Sequence, residues 1–271
     1  MKSTLKLILL ITILPFGVMS CSSQSRDTTR NTLIEELNFK FNFFDNTKAE
    51  ELSRAIKYQD TAKIIRILDN NPDIVNFQES RKNNTLLILS VIYNLKQETA
   101  ILLRYGADPN LLNIYNQSAM YYGFSSNHAP DNCDLTIPKL LIKYGGNLNY
   151  IDLKSCKSLV STSISGNVEP YNCFSRTKLL LDSGADINLW VKDETHCPVN
   201  EALLFDKYDV AETLLIQYKA QIPKYGIKVL QDDGFKFIPF REYILTLIKK
   251  ADDDIQKKSL ENILNYIDES K

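Results

Sequence analysis

The sequence predicts an all-α fold: a solenoid of about five helix pairs joined by β-hairpin loops, with an N-terminal extension and a C-terminal helical cap. Three observations carry this expectation. A nine-residue pattern, two apolar residues closing a helix and then Gly-Ala-Asp-x-Asn, recurs along the chain. Its glycines Gly106, Gly145 and Gly184 are separated by 39 residues twice. Between the copies, apolar residues fall at helical rather than alternating spacing. Self-similarity at a fixed period of this length marks a repeat architecture, in which each unit buries its apolar face by stacking on the next.

The first element is a leader, residues 1–20. Lys2 and Lys6 precede an apolar run over 7–18 that is too short to span a bilayer as a helix and has the layout of an export signal. It ends in Val18-Met19-Ser20-Cys21, which resembles the lipobox of bacterial lipoproteins. The resemblance implies cleavage before Cys21 and acylation of its thiol. Two or three acyl chains give stable anchoring, because each buried methylene adds roughly 0.8 kcal/mol. Ser22 resembles the residue found there in lipoproteins sorted to the outer membrane, so the expected location is the periplasm, tethered by lipid to that membrane. Residues 21–45 are the acylated Cys, a polar tether (22–31, SSQSRDTTRN) and an aromatic-rich extension (32–44) expected to pack over the first repeat.

Residues 46–223 form the repeats. Helices are expected over 48–58 and 61–69, 84–95 and 97–105, 117–124 and 136–144, 156–165 and 175–183, and 198–206 and 208–218. Asp60 is a candidate N-cap, since its carboxylate can accept from the first free N–H groups of a helix. Two further helices, 241–251 and 254–268, lie in a charged tail (224–271) that lacks the Gly-Ala-Asp pattern and is expected to close the array.

The copies run over 102–110 (LLRYGADPN), 141–149 (LIKYGGNLN) and 180–188 (LLDSGADIN), with a weaker one at 215–223 (LIQYKAQIP) and a degenerate one at 67–76 (ILDNNPDIVN). This pattern resembles the end of an ankyrin repeat. Its glycine suits the left-handed residue that ends a helix, and its Asp and Asn suit the turn that follows. The start of that repeat, T-P-L-H-x-A, survives in eroded form at Thr85-Leu86-Leu87, Ser118-Ala119-Met120 and Cys197-Pro198-Val199-Asn200-Glu201-Ala202. The resemblance covers 46–223. Residues beyond the usual repeat length, 125–136 and 166–175, fall between the two helices of a pair, where loops absorb insertions cheaply.

Several function classes are disfavoured. With 32 Lys+Arg against 33 Asp+Glu, the chain lacks the basic excess of a nucleic-acid binder. Two His in 271 residues disfavour a His-based metal site, and no P-loop, G-x-S-x-G, H-E-x-x-H or G-x-G-x-x-G is present. No catalytic residue, metal or cofactor is expected. Cys21 apart, four cysteines remain, Cys133, Cys156, Cys173 and Cys197, without a C-x-x-C pair. In an exported chain an even number points to disulfides rather than zinc. They occupy two equivalent places in consecutive repeats, and a first helix of about ten residues separates those places by about 15 Å. The expected bridges are therefore Cys133–Cys173 and Cys156–Cys197.

What the resemblance implies is protein binding through hairpin tips and inner helix faces. Counted from each glycine, one hairpin column holds Leu112, Ile151 and Trp190, flanked by Tyr115, Tyr150, Lys154 and Lys192, with Tyr121 on a first helix. Trp190 is either an interface anchor or core. Some ankyrin-repeat lipoproteins of Gram-negative bacteria are immunity proteins for type VI secretion phospholipase effectors. A lipase effector is accordingly the expected partner, with the membrane contacted through the N-terminal lipid only. The alternative is a scaffold or partner for an envelope enzyme.

Overall fold

The structure, a computed structural model, describes residues 40–125, 134–165, 174–190, 196–231 and 234–270. The leader, Cys21, Ser22, the tether, Cys133, Cys173 and Lys192 lie outside the described residues. The described residues are mostly helical. No helix among them is long and apolar enough to cross a membrane.

Five helix pairs follow one another: α1 (Glu50–Lys57) with α2 (Thr61–Asn70), α3 (Leu86–Ile92) with α4 (Lys96–Arg104), α5 (Ala119–Phe124) with α6 (Thr136–Lys143), α7 (Leu159–Ile164) with α8 (Ser175–Asp182), and α9 (Pro198–Leu204) with α10 (Tyr208–Ile216). First helices pack in a row, α1 on α3, α3 on α5, α5 on α7 and α7 on α9, while α2, α4 and α6 form a second row. The inner first helices α3 and α5 are short and almost wholly apolar on every side, which suits elements enclosed by neighbours: six of the seven residues of α3 are buried.

Local chemistry fixes the ends of these helices. Thr85, Ser118 and Ser158 each precede a first helix and accept from the N–H three residues on, at 3.1, 3.1 and 3.2 Å. Gly106, Gly145 and Gly184 end second helices with φ of 88, 85 and 95°. The amide after each returns to a carbonyl five residues back, Ala107 to Leu102, Gly146 to Leu141 and Ala185 to Leu180. This is the left-handed closure expected of the recurring glycine.

The asparagines do something the spacing alone did not reveal. Asn76 donates to the Gly106 carbonyl and accepts from Asp108 N, at 2.9 and 2.8 Å. Asn110 repeats both bonds on Gly145 and Asn147, at 2.9 and 2.7 Å. Asn149 and Asn188 accept from Asp186 N and Gln221 N, at 2.8 and 2.9 Å. The last residue of each motif thus pins the next motif.

Both ends are covered. Phe41 and Phe44 are buried, Phe41 against the ring of Tyr93 and Phe44 against that of Phe77. At the other end the tail is only partly helical. It opens with an antiparallel hairpin, β3 (Tyr225–Gln231) on β4 (Gly234–Pro239), before α11 (Phe240–Lys250) and α12 (Asp254–Glu269). The hairpin lies on α11, and α12 packs against α10 and α11. The expected start of α7 near 156 is also corrected. Lys157 and Ser158 form β2 (Lys157–Ser158), paired with β1 (Ile151–Asp152), because Ser158 must stay extended to cap α7.

Candidate partner-binding surface

Three described turns connect consecutive pairs, and each is held from inside by one buried acceptor. In the first, the Glu79 carboxylate is fully buried and accepts from the N–H groups of Arg81, Lys82 and Asn84, at 2.7, 3.0 and 3.0 Å. In the second, Asn113 Oδ1 accepts from Tyr115 N and Gln117 N, at 2.9 and 3.0 Å, while its Nδ2 donates to Asn84 Oδ1 at 3.1 Å. In the third, Asp152 Oδ1 accepts from Lys154 N at 3.0 Å and Oδ2 from Ser155 Oγ at 2.7 Å. Satisfying the turn amides inward leaves the intervening side chains facing out.

The turns are bonded side by side. Gln78 Nε2 donates to the Leu112 carbonyl at 2.9 Å, and Ile114 N to the Lys82 carbonyl at 3.0 Å. The Tyr150 hydroxyl donates to the Asn116 carbonyl. The result is a row of apolar side chains open to solvent: Leu112 is 42% exposed, Ile114 54%, Tyr115 43% and Leu153 70%.

Of the residues expected to meet a partner, Leu112, Tyr115 and Lys154 are exposed at these tips. Tyr121 and Tyr150 are half-buried and edge-on to each other, 6.1 Å between ring centres. Burial, and then the nearby Asp152 charge, push both phenols above their ordinary range, so they stay neutral at physiological pH. Ile151 is half-buried, and so is Trp190, which packs against the core. Lys192 lies outside the described residues. Ile114 and Leu153, the two most exposed members of the row, escaped the sequence reading, as did Arg81 and Lys82. The signal was available: Arg81, Ile114 and Lys154 each stand four residues before the cap of a first helix. Turns of unequal length make the cap a better ruler than the glycine.

Cys156 and Cys197, the one expected pair that lies within the described residues, are not joined to each other in this structure. Cys156 is a free thiol in the third turn, at φ 57°, with Sγ directed back to the Leu153 carbonyl at 3.7 Å. Cys197 is buried at the start of α9, in the next pair. Cys133 and Cys173 lie outside the described residues. Among the described residues no three His, Cys, Asp or Glu side chains gather in a way that could hold a metal ion. No family model and no curated protein matches the chain.

Proposed function

We propose that this chain is an ankyrin-type repeat protein, held by an acylated Cys21 at the periplasmic face of the outer membrane, that binds and neutralises a lipase effector delivered by the type VI secretion system. The left-handed glycines at 39-residue spacing and the asparagine bonds from each motif to the next support the repeat reading. The observation that carries a binding role is the row Leu112, Ile114, Tyr115 and Leu153. Large apolar side chains held open on fixed turns have a cost in water that a partner's surface removes. The role assigned here is inhibition by contact, with no reaction catalysed by this chain. A membrane-tethered inhibitor would meet a membrane-attacking hydrolase where that enzyme works.

This reading expects a membrane-active hydrolase encoded beside this gene, and the test is a lipase assay on that enzyme, with the acylated chain supplied in phosphatidylcholine nanodiscs. Neutralisation is expected, together with a complex on a sizing column. Cells deleted for this gene should be killed by sister cells that deliver the enzyme. Full lipase activity under excess inhibitor, with no complex, would replace this reading by that of a partner for an envelope enzyme.

A further inference from the structure

The three described tips are apolar and also of one charge. Residues 77–85, 111–118 and 150–158 contain only two acids, Glu79 and Asp152. Both are buried, and both spend their carboxylate oxygens on groups of their own turns. Of the four cations in these stretches, Lys157 is paired with the buried Glu201 carboxylate at 2.8 Å, and the other three face the other way. Arg81 and Lys154 are exposed, and Lys82 is half-buried beside them. No ion pair among the described residues uses any of the three. Two of them lie over aromatic rings, the Arg81 guanidinium 4.9 Å from the centre of Phe43 and the Lys82 ammonium 5.9 Å from that of Tyr115. The rings hold the cations alongside the apolar row without neutralising them.

Resting on the reading of these tips as the binding face, we propose that they recognise an acidic-apolar protein segment: one or two large apolar side chains flanked by carboxylates. The apolar part fits between Leu112, Ile114, Tyr115 and Leu153, and the carboxylates meet Arg81, Lys82 and Lys154. Three tips that keep both of their acids inside present a local positive surface, and complementary charge supplies specificity and faster encounter. A partner segment rich in Lys or Arg would face like charge at close range and be rejected.

The probes are three synthetic peptides with the same Leu-Phe-Leu centre, flanked by Glu, by Ser or by Lys. Each is titrated onto the acylated chain in phosphatidylcholine nanodiscs, with empty discs as the blank. The Glu-flanked peptide should bind at least about tenfold tighter than the other two, and raising salt from about 0.05 to about 0.5 M should weaken it severalfold. The triple variant Arg81→Glu, Lys82→Glu, Lys154→Glu should lose this preference while its unfolding midpoint stays close to that of the parent. Leu153→Ser should weaken all binding to the tips. Equal binding of the Ser-flanked peptide, or undiminished binding by the triple variant, overturns the proposal. So does attachment of the nanodisc-held chain to phosphatidylglycerol vesicles without binding of the Glu-flanked peptide, which would assign the tips to a lipid surface. A hydrolase neutralised regardless of salt and of the triple variant leaves the inhibitor reading standing and removes this one. Charge-selective peptide binding without neutralisation does the reverse.

Discussion

Gly106, Gly145 and Gly184 show how a single atom decides a helix end. A Cβ built on Gly106 would meet nothing within 4 Å, so no neighbour excludes a side chain there. What excludes it is the backbone, since a positive φ brings Cβ against the following carbonyl at roughly 1–2 kcal/mol. Gly106→Ala should therefore destabilise the protein by about 1 kcal/mol, read as a lower urea midpoint with unchanged slope. Gly106→Asn should cost less, because Asn tolerates this region; the chain itself places asparagine at φ 54–58° at Asn46, Asn83, Asn94 and Asn116. Equal losses for the two variants would mean that space, not backbone conformation, governs the site. The fourth motif copy has already made such a replacement: Lys219 sits at φ 57°, its ammonium 5.5 Å from the centre of the Tyr266 ring in the closing helix.

At the scale of elements, the joint between the third tip and the last helix pair depends on one buried carboxylate. Glu201, on α9, is fully enclosed; Oε2 accepts from Lys157 Nζ at 2.8 Å and Ser165 Oγ at 2.7 Å, and Oε1 lies 3.1 Å from His196 Nδ1. Lys157 and Ser165 flank α7, so the cluster ties one pair to the next. Removing one partner of a buried charge costs far more than removing both, because the remaining charge keeps its desolvation penalty. Lys157→Met should cost about 3 kcal/mol, and Lys157→Met with Glu201→Gln should cost clearly less than the sum of the single changes. Strict additivity in urea unfolding would show that the pair is not coupled. None of this cluster was legible in the sequence, because Lys157 and Glu201 are 44 residues apart and share no motif. The helices were legible, as were the Asp60 cap, which accepts from Lys63 N at 3.0 Å, and the left-handed glycine ends, because each is set by residues within one turn of the boundary. The β3–β4 hairpin was legible in principle. Ile227-Lys228-Val229 and Phe235-Lys236-Phe237 alternate on either side of Asp233-Gly234, the pairing signal of a hairpin, but a search tuned to helical period passes over it. Half of the exposed row was missed for a related reason: exposure of Ile114 and Leu153 follows from which turn residue is pulled inward, and Glu79, Asn113 and Asp152 share no side-chain type.

Over the whole molecule, contacts run between each pair and its neighbours, so stability is shared locally and the ends matter most. An uncovered last pair would present α10 to water, with Leu214 and Leu215 buried there only because something lies on them. That cover is α12, through Leu260, Ile263 and Ile267, with Asn262 Nδ2 donating to Glu212 Oε1 at 2.7 Å. Ile263→Ala removes a fully buried side chain at a site whose opposite face is solvent, and should cost about 2–4 kcal/mol. The more telling readout is its distribution. In an array of near-neighbour contacts, loosening one cap should raise amide hydrogen exchange most in α12 and α10, less in α9, and little in α3 and α4, since the main contacts run between adjacent pairs. A cooperative single-core protein would instead lose protection evenly along its length. A graded profile from the C-terminal end would also explain why both ends carry extra material, Phe41 and Phe44 on one side and the hairpin with α11 and α12 on the other. Between those covers the three described tips stay in register, because each of these turns is bonded to the next.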